Sequence, residues 1–68
     1  MLIGLRNARL SENVPVRKLA NLLELKTEAA YYKKETEAVP TTIREGIKLA
    51  RFLGKTMDEL FCADEHSQ

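Results

Sequence analysis

The 68-residue chain has no tryptophan, one cysteine, one histidine, two prolines and three glycines. A single cysteine, Cys62, excludes an internal disulfide, and Cys62 with His66 gives no metal-ligand spacing. Stability therefore has to come from packing, and neither a metal nor another cofactor is expected. With one histidine, one cysteine and no glycine-rich phosphate loop, no nucleophile and base can be paired, so an enzyme is not expected. No apolar run approaches the roughly 20 residues that cross a bilayer, and no apolar block stands at the N-terminus. The expectation is a cytoplasmic protein without a membrane partner. Period-2 alternation and hairpin dipeptides are also lacking, which excludes strands.

What remains is 44% hydrophobic and 31% charged, the balance of one small globular domain with a modest core. The net charge of +1 hides a polarity. Residues 1 to 34 hold seven Lys/Arg against three Glu, giving +4, while residues 35 to 68 hold four against seven, giving −3. Such an asymmetry orients a domain toward a polyanion even when the total is small.

Leu2, Leu5 and Ala8 recur at helical spacing and predict a first helix over residues 2 to 12, ending near Asn13, whose side chain tolerates a turn. Pro15 suits a first helical turn, and Val16, Leu19, Ala20 and Leu23 follow at i, i+3, i+4 and i+7, a second helix over residues 15 to 23. Thr27 caps a third helix through Ala29, Ala30, Tyr31 and Lys34, which stops before Val39-Pro40. Thr41 or Thr42 caps a fourth, with Ile43, Ile47, Ala50 and Leu53 on one face and Gly54 at its end. Thr56 caps a final turn carrying Met57, Leu60 and Phe61, and residues 62–68 lack an apolar pattern and are expected to form a flexible tail. The expected core is Leu5, Leu19, Ala20, Leu23, Leu25, Tyr31, Ile43, Ile47, Ala50, Leu53, Leu60 and Phe61.

The second and third helices, joined by Glu24-Leu25-Lys26-Thr27, have helix-turn-helix spacing. Ala20 stands where the two would cross, and Leu25 can plug the turn into the core. With Arg9 near the end of helix one, Leu19-Ala20-Asn21-Leu22-Leu23, Ala30-Tyr31-Tyr32-Lys33-Lys34-Glu35 and the closing stretch from Leu49 to Phe61, the chain resembles the phage-repressor helix-turn-helix family, the Cro/CI-like or XRE-like domains, over nearly all of residues 2 to 61. That resemblance implies an all-α fold, a single five-helix domain of the lambda-repressor-like kind over residues 1–61. The chain departs from the family's pattern in four places. Pro15-Val16 replaces a polar start to helix two, Glu24 and Glu37 replace turn glycines, and Gly46 stands where alanine is usual.

The resemblance further implies that helix three enters the major groove of double-stranded DNA. Glu28, Ala29, Tyr32 and Lys33 then face the bases. The helix starts near Val16 and Thr27 offer backbone N–H groups to phosphates, with Arg17, Lys18, Lys26 and Arg44 as supporting cations. Tyr31 and Phe61 read as core, and Arg9 reads as a structural partner of Glu35 rather than a DNA contact. Two functions fit. One is a Cro-like, sequence-specific DNA-binding regulator of phage, prophage or mobile-element genes, acting as a homodimer with Phe52, Met57 and Phe61 as contacts. The other is a protein-binding helix-turn-helix, an anti-repressor or antitoxin-like partner, in which Glu24, Glu28, Glu35 and Glu37 meet the basic surface of another repressor.

Overall fold

Threonines mark where the later helices begin. In the computed structural model, which describes residues 1–61, the Thr27 hydroxyl accepts from the Ala30 N–H at 3.1 Å and opens α3 (Glu28–Glu35). Thr42 opens α4 (Ile43–Leu53) with a full capping box: its hydroxyl accepts from the Glu45 N–H at 3.1 Å, and the Glu45 carboxylate accepts from the Thr42 N–H at 3.0 Å. Thr56 and Glu59 repeat that reciprocal pair ahead of α5 (Met57–Phe61), at 3.1 and 2.8 Å. The two earlier helices, α1 (Ile3–Ser11) and α2 (Val16–Leu22), start without a side-chain cap. Pro15 stands immediately outside α2 in an extended conformation rather than inside its first turn. The five expected helices are all present, within a residue or two of their expected ends, and no strand occurs among the described residues. The expected tail over residues 62–68, with Cys62 and His66, lies outside the described residues.

The turns between helices need left-handed backbone, and it falls on Asn13 (φ 56°), Glu24 (φ 61°), Glu37 (φ 70°) and Gly54 (φ 69°). Only Gly54 adopts it without steric cost. Glu24 and Glu37 hold this conformation with full side chains, at a cost of about 1 kcal/mol each.

The core gathers Leu5, Ala8, Val16, Leu19, Ala20, Leu23, Tyr31, Leu49, Leu53 and Leu60, with Leu2, Val14, Leu22, Leu25, Ala50 and Phe61 packed around it. Ala20 is 3% exposed between α2 and α3, and Leu25 closes the turn, its N–H donating to the Ala20 carbonyl at 2.8 Å. Two expected core residues are not there: Ile43 is 76% exposed and Ile47 is 41% exposed. Helix α4 carries two apolar stripes, Ile43-Ile47-Ala50 and Gly46-Leu49-Leu53, and periodicity alone favours the one with the branched side chains. The structure turns the other inward, burying Gly46, Leu49 and Leu53. Gly46 faces α5 within that inward stripe, where a Cβ would lie 2.9 Å from the Met57 methyl and 3.1 Å from the Phe61 ring.

Lys34 does not share the solvated face of Lys33. It is 8% exposed, and its ammonium donates to the Pro40 carbonyl at 3.2 Å and pairs with Glu45 at 3.1 Å, clamping the α3–α4 loop. Burial would raise the Glu45 pKa, but the Thr42 N–H and the Lys34 ammonium outweigh it and hold the carboxyl below its usual 4.5. A depressed pKa contributes stability that is fully present above 4.5 and is lost as pH falls through the lowered value. Thermal melts from pH 7 downward should therefore show the melting temperature dropping below pH 4.5, as pH falls through the lowered value. Glu45→Gln should melt lower at neutral pH and show a shallower acid limb, and an unchanged limb would remove the clamp from the account.

Candidate nucleic-acid interface

Helices α2 and α3, packed across Ala20 and Leu25, leave a shallow polar cleft between them. It is lined by Arg17, Ala20, Asn21, Leu25, Lys26, Thr27 and Glu28. The orientation of α3 follows from its inner face. Tyr31 is fully buried and Glu35 is 1% exposed, so Ala29, Tyr32 and Lys33 point outward.

That inner face is anchored to α1 by a buried charged network. The Arg9 guanidinium donates twice to the Glu35 carboxylate, at 3.0 and 3.1 Å, and the Tyr31 hydroxyl donates to the same carboxylate at 2.8 Å. The hydrogen bond to Glu35 raises the Arg9 pKa further above its usual value. Burial, and then the bond to Glu35, push the Tyr31 phenol well above its usual 10, so it remains a donor. The guanidinium also lies 5.8 Å from the centroid of the Tyr32 ring. Arg9 is thus the structural partner of Glu35, and it steadies the one aromatic ring on the outer face of α3.

Of the residues expected at the site, Arg17, Lys26, Thr27 and Glu28 meet in the cleft, and Ala29, Tyr32 and Lys33 continue from it along α3. Tyr32 is 44% exposed. Lys18 and Arg44 are exposed on α2 and α4 but do not line the cleft. The Val16 side chain, 8% exposed, lies in the core on the inward Val16-Leu19-Ala20 face of α2, as its apolar spacing predicts, which leaves only its backbone at the helix start. Asn21, exposed and one turn beyond Arg17 on α2, shares the cleft and was not nominated by the sequence reading. The i, i+4 spacing from Arg17 was the available signal.

The electrostatics separate free cations from engaged acids. Lys18, Lys26 and Lys33 are exposed, and no carboxylate among the described residues lies within 4.0 Å of them. Each of the four acids around α3 has a cation. Glu35 holds Arg9, Glu37 pairs with the Met1 amino group at 3.1 Å, Glu28 pairs with Arg17 at 3.6 Å, and Glu24 lies 3.9 Å from Lys48. The last two pairs are exposed and weak, each worth at most about 1 kcal/mol. No group of three or more metal-ligating side chains occurs among the described residues, and no helix there is long and apolar enough to cross a membrane.

The described residues form a small all-α bundle of five helices whose second and third helices are a turn-linked pair. The chain matches no family model, no curated protein and no solved structure.

Proposed function

We propose that this protein is a sequence-specific DNA-binding regulator of the Cro-like helix-turn-helix kind, acting on phage, prophage or mobile-element genes as a homodimer on double-stranded DNA. One observation carries the reading. The outer face of α3 is uncluttered, with Ala29 and Lys33 on it, Tyr32 beside them, and the free cations Lys18 and Lys26 on the flanking helix and turn. A small residue lets a helix approach a groove closely, and cations around it meet phosphates. The acids weigh less against this than their number implies. Glu35 is buried, and Glu24, Glu28 and Glu37 already have cations within the chain. The same fact takes support from a partner repressor whose basic surface would have to draw them away.

Titration with duplex DNA from the region flanking its own gene, at low salt, tests the proposal. Binding should weaken steeply as salt rises. Lys33→Ala should lower affinity and, as a lost phosphate contact, reduce the log-log salt slope by about one unit. Glu28→Gln should raise non-specific affinity or relax preference at one cytosine. No detectable binding by the wild type to any such duplex, together with a complex with a basic repressor domain that Glu28→Lys abolishes, would favour the anti-repressor role instead.

A further inference from the structure

The cleft between α2 and α3 brings together one cation and one carboxylate from facing helices. Arg17 stands in the first turn of α2 and Glu28 opens α3, and the Arg17 Nε lies 3.6 Å from the Glu28 carboxylate. Both side chains are exposed, 81% and 51%, so the pair adds little to the packing of the two helices. The buried Arg9–Glu35 pair is built differently, with two guanidinium nitrogens donating at 3.0 and 3.1 Å and Tyr31 completing the set. At Arg17 the carboxylate approaches from the Nε side without reaching hydrogen-bond distance, and no other carboxylate among the described residues lies within 4.0 Å of the guanidinium. A guanidinium carries five N–H donors in a fixed fork, so its outer edge, with the two terminal nitrogens, keeps donors to offer a ligand.

We infer that Arg17 and Glu28 act as one unit that reads a single G·C base pair, Arg17 on the guanine and Glu28 on its cytosine, an inference that rests on the DNA-binding reading. The chemistry of base-pair edges carries it. In the major groove a G·C pair presents two acceptors, guanine N7 and O6, and then one donor, the cytosine N4 amino group. Arg17 supplies two donors, and Glu28 beside it supplies an acceptor, which is the complement in the same order. An A·T pair presents acceptor, donor and acceptor, so the same two side chains would set the guanidinium against the adenine amino group and the carboxylate against thymine O4. Reversal to C·G reverses the order, so the unit also fixes which strand carries the guanine. A phosphate is the poorer target for Arg17, because a phosphate within its reach also meets the carboxylate 3.6 Å from it, and repulsion offsets the attraction. Lys18, Lys26 and Lys33, with no carboxylate within 4.0 Å among the described residues, suit phosphates better. Glu28 is thereby accounted for as well. A carboxylate at the leading end of α3 repels DNA unless a base donates to it, and a G·C pair held by Arg17 brings such a donor.

Selection by the wild type from a randomised duplex pool, followed by affinity measurements on the selected duplex with each base pair exchanged in turn, tests the inference. One position should be G·C, and its exchange for A·T or C·G should weaken wild-type binding by about tenfold or more, the discrimination of one bidentate contact. Arg17→Ala and Glu28→Ala should each abolish the preference at that same position and leave preferences elsewhere unchanged. A deazaguanine there, with carbon in place of N7, should weaken the wild type and leave Arg17→Ala indifferent. Because both side chains are exposed, the two variants should melt close to the wild type. An Arg17→Ala variant that binds every duplex more weakly by the same factor, with a log-log salt slope smaller by about one unit, would make Arg17 a phosphate ligand and overturn the inference. Preferences lost at two different base pairs in the two variants would overturn it too. Both of those results leave the DNA-binding reading standing, whereas a wild type that binds no duplex and enriches no sequence overturns the two together.

Discussion

Glu35→Ala is expected to lower the stability of the folded chain by about 3 to 5 kcal/mol, the usual consequence of removing one partner from a buried ion pair. The carboxylate is 1% exposed and takes three hydrogen bonds, two from Arg9 and one from Tyr31. Without it, an Arg9 guanidinium at 9% exposure keeps its charge and loses its acceptors, and the fully buried Tyr31 hydroxyl loses its own. Small domains hold only about 5 to 15 kcal/mol in total, so most of that reserve would be gone. The cost comes from the unmet partners more than from the pair itself. The double variant Arg9→Met, Glu35→Leu, which leaves only the Tyr31 hydroxyl unpaired, should therefore recover part of the loss. Urea unfolding of both variants checks this, and a single-variant loss below about 1 kcal/mol would show that Arg9 finds water without difficulty. The consequence for function is indirect: the network ties α3 to α1, and with it the bearing of Tyr32 and Lys33.

Legibility in the sequence divides along the same physical lines. The helices were legible because their signals are local. Thr27, Thr42 and Thr56 cap, Gly54 stops α4, and the Val16-Leu19-Ala20-Leu23 spacing places one face of α2. The Arg9–Glu35 pair was legible from the residues' places on helices one and three. The inward stripe of α4 was not, because the choice between Ile43-Ile47 and Gly46-Leu49 depends on how closely α5 approaches, which is a tertiary contact. The burial of Lys34 was not legible either, because it depends on the loop folding back to place the Pro40 carbonyl and Glu45 against its ammonium. In the candidate interface, single residues were readable, whereas the pairing of each acid with a cation needed coordinates.

The approach of α5 to α1 rests on Gly4, and its replacement gives the other large effect. A Cβ built on Gly4 of α1 would land on the Glu59 carbonyl oxygen and within 3.0 Å of the Leu60 carbonyl oxygen. Both obstacles are backbone, so neither can rotate away as a side chain does, and α1 and α5 would have to separate. Overpacking of this kind costs about 1 to 3 kcal/mol, and a backbone obstacle puts Gly4→Ala at the upper end or beyond. Gly46→Ala meets only the flexible ends of Met57 and Phe61, and a helix-interior alanine returns about 1 kcal/mol of propensity, so it should be close to neutral. The two substitutions add the same methyl group, which makes their difference in melting temperature a measure of backbone against side-chain accommodation. Gly4→Ala should also expose the amides of residues 57–61 to hydrogen exchange before those of α2 and α3, because Leu60, 1% exposed, is the main anchor of α5 in the core. Equal protection of α5 in the two variants would mean that the helices move apart without cost, and that the close α1–α5 contact does not hold α5 in place.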